Sequence, residues 1–564
     1  MLDPLAKEGL IIKTASSFYI VRTLNQDVLV YSDEQFLLHD HVLFKGQYQP
    51  IESVNNTYGL NFKKMMMRQH IHFQIKPTDI ERVESKPTIL NRVHQSISQM
   101  PHRSYYEHVY LNIQSEHEEL KGEILSSQII IVLFIRFLRS LFNKRFDDTY
   151  FDFYEVLLYM VMMLIFNDPA FYFMLGCRRL IQKIPLESFD KLALSPCVTL
   201  FLFPSFQFSL RFIIVMMFQL LGMIQMHQKR FWHGFIVIVP ILLNSFYKVD
   251  LFELILFPIH RILNLIYFII GLIDIVFKTS LSFNGFQLMN FNILAFNITG
   301  KFPLWILFLW IIVSLAYLRN GKFRYILMLF CLLIMNQNQL YFNPRFIYEQ
   351  LYVGQGDSSL LIYPHQTKVM MVDTGSSYSY KRVESALNYY GINTIKHLMI
   401  SHDDEDHSGN LKQLEQDFKI EHIMTTADDF QFYDLNIHLY QYDEEGNDGS
   451  LIAYFTINEY TYLLLGDVSS RIEHEFLNEH SDIQFDIVKI AHHGSKTSTS
   501  SQLLSHPSIK LLINSSGLNN RYQHPAREVV QRIMKHDLPF LDTQDYGNIK
   551  IISLYNLTYI SLKP

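Results

Sequence analysis

Apolar positions change their rhythm twice along this chain. From residue 9 to 76 they come in short runs, GLIIKT, FYIVRTL, VLVYS and HVLFKGQY, rich in β-branched and aromatic side chains. Runs of that length predict strands, and their succession predicts a small OB-like β-barrel over residues 1–80. The segment NFKKMMMRQHIHFQI predicts a helix entering a further strand, and residues 81–126 predict a polar linker with helix. From 127 to 342 apolar residues are nearly continuous, with uncharged windows Leu192 to Leu210, Phe212 to Met226, Phe231 to Tyr247 and Phe302 to Leu318. Each approaches the roughly 20 residues that cross a bilayer. Their dense recurrence with short basic breaks predicts roughly six to eight membrane helices, in which Arg136, Glu253 and Arg261 either line a polar path or reach for the interface. From 345 onward strands and helices alternate, as in KVMMVDTG, RVESALNYYG and KHLMI.

Charge separates these regions further. Residues 1–344 carry 31 Lys and Arg against 25 Asp and Glu, whereas residues 345–564 carry 17 against 29. Cys177, Cys197 and Cys331 all lie in the apolar middle, so neither flank can form an internal disulfide. The start MLDPLAKEGL has no apolar core of a cleavable signal. The basic loops HQKR (227–230) and RNGKFR (319–324) are expected in the cytoplasm. The segment Tyr325 to Phe342 then carries the chain outward, which puts residues 345–564 outside the cell.

The stretch SHDDEDHSGN, 401–410, follows an apolar strand and crowds carboxylates between two histidines. Such carboxylates repel one another unless a cation sits among them. His402, Asp404, Asp406 and His407 form an H-x-D-x-D-H cluster in which alternate residues point the same way and His407 turns to the other side. LLLGD places Asp467 after a second apolar strand, and IVKIAHHGS places His492 and His493 after a third. A layered α/β fold brings such strand ends to one edge. There a carboxylate can bridge two cations and imidazoles complete a mixed N and O shell. Taken singly, 402–407 could be an exposed acidic loop and the paired histidines core residues; their order and strand context favour the site. Ser495, Lys496, Thr497 and Ser498 follow the HHG turn and offer hydroxyls and a cation to a phosphate, or simply form the turn. Asp357 and Asp373 read as scaffold. His524 in RYQHPAREVV either contacts phosphate and protonates a leaving oxygen or caps the helix that Pro525 begins.

The ordered set VGQGD, VDTG, SHDDEDHSGN, LLLGD, AHHGS and RYQHP resembles the metallo-β-lactamase fold domain at the C-terminus of the ComEC family of DNA-uptake channel proteins. The middle region, around FIVIVPILLNSFYKVDLFELILFP, resembles that family's competence membrane domain, and the first strands its OB-fold domain. The resemblance implies four segments: an OB-like barrel (1–80), a linker (81–126), a polytopic membrane domain (127–342) and an αββα metallo-β-lactamase fold (345–564). It implies a multi-pass bacterial inner-membrane channel that admits one strand of transforming DNA. An outward-facing phosphodiesterase would degrade the other strand, using two divalent ions, Mn²⁺ or Zn²⁺. His402, Asp404 and Asp467 would hold one ion, and Asp406, His407, Asp467 and one of His492 or His493, with His492 preferred, the other. Asp406 and His524 would act in catalysis, and Ser495, Lys496, Thr497 and Arg521 would meet the substrate. Double-stranded DNA as substrate, single-stranded product, membrane lipids, a DNA receptor, a cytoplasmic helicase or ATPase, and a second copy in a homodimer are the implied partners.

Three features depart from that pattern. Many metallo-β-lactamase fold enzymes have His at the place of Asp404 and a further separate His, where DEEGNDGSLIAY offers none; the harder oxygen ligands lean toward Mn²⁺. The acidic last domain opposes nonspecific DNA binding. The family usually carries membrane segments ahead of its OB-fold, so either the start is truncated or the topology differs. A catalytically silent DNA-binding domain on a channel, and a membrane-tethered hydrolase of small substrates, are the competing readings, because fold alone does not separate them.

Overall fold

The computed structural model describes residues 6–15, 18–32, 34–52, 71–100, 148–165, 169–185, 187–203, 230–252, 268–275 and 296–562, with isolated positions between them. The chain forms two compact units. One comprises Met1–Glu52, Lys63–Val239 and Asp250–Phe296, and the other Ser53–Phe62, Pro240–Val249 and Asn297–Pro564.

The first unit opens with seven strands: β1 (Ala6–Thr14), β2 (Phe18–Thr23), β3 (Asp27–Tyr31), β4 (His41–Lys45), β5 (Gln49–Pro50), β6 (Phe73–Ile75) and β7 (Asp79–Val83). They lie in one sheet in the order β5-β6-β3-β2-β1-β4-β7. Ile11, Val21, Val28, Val30, Val42 and Phe44 form its core. Tyr19 and Phe44 are buried there, whereas Phe73 on β6 and Tyr48, between β4 and β5, are exposed. The helix Ile89–Ser98 follows, with Thr88 accepting from the Asn91 N–H as its N-cap.

Helices Asp148–Ile165, Pro169–Ile181 and Ser188–Leu202 come next. The first carries Glu155, buried and ion-paired to Arg179 on the second at 3.0 Å. Among the described residues no helix is long and apolar enough to cross a membrane. The helices in the expected windows are short: Arg230–Phe246 and Leu304–Asn320 have 17 residues each and Phe323–Gln337 has 15. At 1.5 Å per residue, 17 residues reach about 26 Å, under the roughly 30 Å of a hydrocarbon core. All of the window Phe212–Met226 but Phe212 and Met216, most of the loop 227–230, and the residues Arg136, Glu253 and Arg261 lie outside the described residues. The helix Leu304–Asn320 leaves Leu304, Phe308, Ile311 and Leu315 exposed.

Strands β8 (Lys248–Asp250) and β9 (Asn297–Thr299) pair with each other. The second unit also contains two seven-stranded sheets. The first contains β10 (Phe346–Gln350), β11 (Ser359–Ile362), β12 (Val369–Val372), β13 (Thr394–Met399), β14 (Lys419–Met424), β22 (Ile549–Leu554) and β23 (Leu557–Leu562). The second contains β15 (Phe430–Phe432), β16 (Leu435–Tyr440), β17 (Ile452–Ile457), β18 (Tyr460–Leu464), β19 (Ile487–Lys489), β20 (Leu511–Asn514) and β21 (Phe540–Asp542). Their orders are β14-β13-β12-β11-β10-β22-β23 and β15-β16-β17-β18-β19-β20-β21.

Period-2 alternation sorts the side chains into layers. Leu361, Met370 and Met399 meet Ile437, Ala453, Phe455 and Ile513 between the sheets. Leu360, Ile362 and Leu398 face the other way, onto Val383, Ala386 and Leu387 of the helix Tyr380–Tyr390. On the far side Leu463, Val488 and Leu512 pack against Ile472 and Phe476 of the helix Ser470–Glu479 and Val529 and Ile533 of Arg527–Lys535. The result is an αββα sandwich. Strands β12, β13 and β14 run parallel, as do β18 to β21, so their carboxyl ends share an edge, where α/β sheets place ligands. A fully buried Glu349 on β10 accepts hydrogen bonds from Tyr58, Tyr390 and Asn548 and lies 3.4 Å from Lys550, so its charge is partnered.

Candidate metal centre

Each strand end delivers one part of the site. The strand β13 runs into Ser401–His407, β18 into Gly466–Asp467, and β19 into Ala491–Gly494; the turn between β10 and β11 brings Asp357. Two of these approaches demand glycine. Gly356 has φ +123° and a Cβ there would sit 2.3 Å from the Asp406 carbonyl oxygen; Asp357 N–H donates to that same oxygen at 3.0 Å. Gly494, at φ +76°, would drive a Cβ to 2.7 Å from Pro525. Just before it His492 and His493 both have positive φ, 52° and 55°. Strained backbone of this kind persists where its surroundings over-determine it.

Atoms that can bind a metal converge here. One each from Asp357, His407, Asp467 and His493 lie within 4.8 Å of one another, and all four residues are buried. His407 Nε2, His493 Nε2, Asp467 Oδ1 and Asp357 Oδ1 make no hydrogen bond. Each imidazole is oriented through its other nitrogen. His407 Nδ1 donates to Asp373 Oδ2 at 2.9 Å, and His493 Nδ1 donates to the Ser515 carbonyl, also at 2.9 Å. That tautomer leaves the inward Nε2 lone pairs for a cation, the arrangement that orients metal-binding histidines. Asp373 is itself held by Ser401, whose N–H and Oγ donate to it at 2.7 and 2.8 Å. The residues present therefore fit a divalent ion.

Other expected residues are arranged around this cluster. Asp406 Oδ2 is 3.2 Å from His493 Nε2. The His402 ring lies 4.2 Å from that of His407, tilted by 48°, and its Nε2 is 3.5 Å from the mostly exposed carboxylate of Asp404. His492 is more open and lies 3.8 Å from Asp467 Oδ2, with Asn447 donating to its ring at 3.2 Å. It is His493, not His492, that enters the convergent set. The His524 ring faces His493 at 6.4 Å and 29°. Ser495 is buried and within 3.0 Å of the Thr497 hydroxyl, while Lys496, Thr497 and Arg521 are exposed. The loop after the HHG turn hangs on Glu473, which accepts from the Thr499 and Ser500 N–H groups at 2.6 and 2.7 Å.

The electrostatics are those of a cation site. Burial pushes the Asp406 carboxyl up, but the neighbouring His493 and His407 outweigh it, leaving it at about 2. Burial works against a charged His407, yet Asp467 and Asp373 raise it. Burial, then His493 and His492, push His524 down to about 4, so its ring is neutral at pH 7. Sequence reasoning read Asp357 as scaffold and did not single out Lys489. Asp357 joins the candidate ligands from a turn some fifty residues away. Lys489, buried in β19, puts its ammonium on Asp357 Oδ2. A lysine inside an apolar strand was the available signal.

Residues 351–436 match the family model described as Metallo-beta-lactamase superfamily. ComE operon protein 3 of Bacillus subtilis is 27% identical over 246 residues, which is 35% of this chain and 32% of that protein. The chain is similar to ComEC-family proteins. Recombination protein 2 of Haemophilus influenzae is 26% identical over 41% of this chain and 31% of its own length. Competence protein ComA of Neisseria gonorrhoeae is 25% identical over 35% and 31%. The chain thus spans about a third of the length of each of these ComEC relatives, and its C-terminal region has the metallo-β-lactamase fold.

Proposed function

We propose that this chain is a membrane channel protein of DNA uptake whose C-terminal domain is a metal-dependent phosphodiesterase that degrades the strand not taken up. The observation that supports it is the buried set Asp357, His407, Asp467 and His493 at the carboxyl edge of the sandwich, in a chain similar to proteins named for competence. His407, Asp467 and His493, with Asp406 beside them, would hold one divalent ion, and His402, Asp404 and His492 line the position of a second. Such an ion, when bound, acidifies a water and polarises a phosphoryl oxygen. Asp373 and the Ser515 carbonyl fix the two imidazoles, and Asp406 is placed to accept a proton from the attacking water. His524, neutral at pH 7, contributes its ring and one N–H to the strand being cut, and Ser495, Lys496, Thr497 and Arg521 border its path.

In the same reading residues 1–80 are an OB-like domain, 127–342 span the bacterial inner membrane several times, and residues 345–564 face outward, where a receptor would present duplex DNA. A cytoplasmic helicase or ATPase draws in the surviving strand. The test is the full chain in detergent, titrated with Mn²⁺, Zn²⁺ or Mg²⁺ and given labelled single- and double-stranded DNA. Wild-type protein should cut DNA only with metal, and Asp467→Asn and His493→Gln should abolish cutting while remaining folded. Absence of cleavage by folded, metal-loaded wild type would overturn the nuclease assignment and favour the silent domain or a small ester as substrate.

A further inference from the structure

Two groups of exposed flat side chains are tied to the loops that carry the candidate centre. Tyr378 lies in the short turn Ser377–Ser379 and is 94% exposed. That turn is tied to the acidic loop, because Ser377 donates to Glu405 Oε1 from its N–H at 2.9 Å and its hydroxyl at 2.6 Å. A second group leads outward from His493 as a stack of planes. The ring of His524 faces His493, Tyr522 stacks on His524 at 5.7 Å and 25°, and the Arg521 guanidinium covers Tyr522 at 4.6 Å from the ring centroid. Tyr378 is thus joined through Ser377 and Glu405 to the segment that carries Asp406, and Arg521 through Tyr522 and His524 to His493. The stack therefore runs from a buried candidate ligand to a solvent-facing planar cation. Its outer face can be continued by any further aromatic plane.

Residues 345–564 carry 12 more negative than positive charges, so phosphate neutralisation, the ordinary route to duplex binding, is poorly served here. Stacking on exposed rings is a different source of affinity and needs bases that are not already stacked in a duplex. We infer that the metal centre takes an unpaired DNA strand, whose bases stack on Tyr378 and on the Arg521–Tyr522 plane; this rests on the DNA reading above. Tyr378 is then a specificity residue that selects frayed or single-stranded ends.

The experiment uses the full chain in detergent and three fluorescent probes of equal length: a single strand, the same strand with abasic residues, and a blunt duplex. Binding is read by anisotropy in EDTA and again in Ca²⁺, and cleavage separately in Mn²⁺. Wild type should prefer the base-bearing single strand over the abasic one by roughly 10-fold or more, with Tyr378→Ala and Arg521→Ala each erasing most of that ratio and Tyr378→Phe keeping it. Circular dichroism checks the fold. Equal binding of base-bearing and abasic strands, a preference for duplex, no binding in either buffer, or a ratio unmoved by Tyr378→Ala would overturn the inference. Cleavage without base preference sinks this inference alone. Base-selective binding without cleavage sinks the nuclease reading and supports the stacking site.

Discussion

Replacing Lys489 by methionine keeps a long chain in β19 and removes a buried charge. The ammonium and the Asp357 carboxylate are 5% and 7% exposed. Burial disfavours a charged lysine, but Asp357, Asp467 and Asp373 outweigh it and raise its pKa. Taking one partner from such a pair leaves the other charge buried and uncompensated, at about 3–5 kcal/mol. A second substitution, Asp357→Asn, removes the stranded charge, so the double variant should be more stable than Lys489→Met alone. The three tryptophans, Trp232, Trp305 and Trp310, all lie outside residues 345–564, so local amide exchange in β19 and β20 is the better assay. The single variant should lose protection there by roughly 10²- to 10⁴-fold, since about 1.4 kcal/mol is tenfold. Saturating divalent metal, at about 100 times Kd, should return about 2.7 kcal/mol. A loss under about 1 kcal/mol, or a double variant as costly as the two singles summed, would refute the ion-pair argument.

His397, buried on β13 against His422 and Phe430, is pushed down to about 4 by burial and then by the charges of His422 and Lys396. Since the unfolded side chain binds a proton near 6.5, its stabilising contribution is complete above about pH 6.5 and is lost as pH falls toward 4; His397→Phe should flatten that slope in pH-dependent exchange of β13, and an unchanged slope counts against it. Asp467→Asn should remove the metal-induced rise in melting temperature as well as the activity, and equilibrium dialysis should show weaker metal uptake; undiminished uptake would disqualify Asp467 as a ligand. Glu473→Ala strands the N–H groups of Thr499 and Ser500, each at about 1–3 kcal/mol, so protease cleavage within 495–500 should accelerate while the core strands keep their protection, and an unchanged rate would refute the anchoring role.

Local signals carried most of the last domain. The apolar runs KHLMI, LLLGD and IVKI end where the site begins, because a strand that stops at a polar turn presents its next residues at a sheet edge. The helix in RVESALNYYG ends at Gly391, whose φ of 76° is the left-handed cap that glycine supplies. Asp357 and Lys489 were not legible for a physical reason: their partners lie at |i−j| = 132, and nothing local in the chain encodes a register across two sheets. The choice of His493 over His492 likewise depends on two successive positive-φ residues, which no sequence spacing reveals. In the apolar middle, hydropathy counts residues without regard to helix boundaries, and the described helices cover 13 to 18 residues.

Charge ties these observations together and gives a last prediction. An excess of 12 negative charges over residues 345–564 repels a polyanion, and that repulsion acts over a Debye length that shrinks from about 30 Å at 0.01 M salt to about 8 Å at 0.15 M. Proteins that bind DNA through lysine and arginine lose affinity steeply over this range because counterions return to the phosphates. A centre that captures its strand by ring stacking and by its bound cations should do the reverse. Its kcat/KM on single-stranded DNA should rise modestly from 0.01 to 0.15 M salt, roughly as the unfavourable field is screened, with kcat little changed. A steep fall instead would mean that a basic surface captures the DNA, and the excess of lysine and arginine over acidic residues in 1–344 would then be the place to look for it.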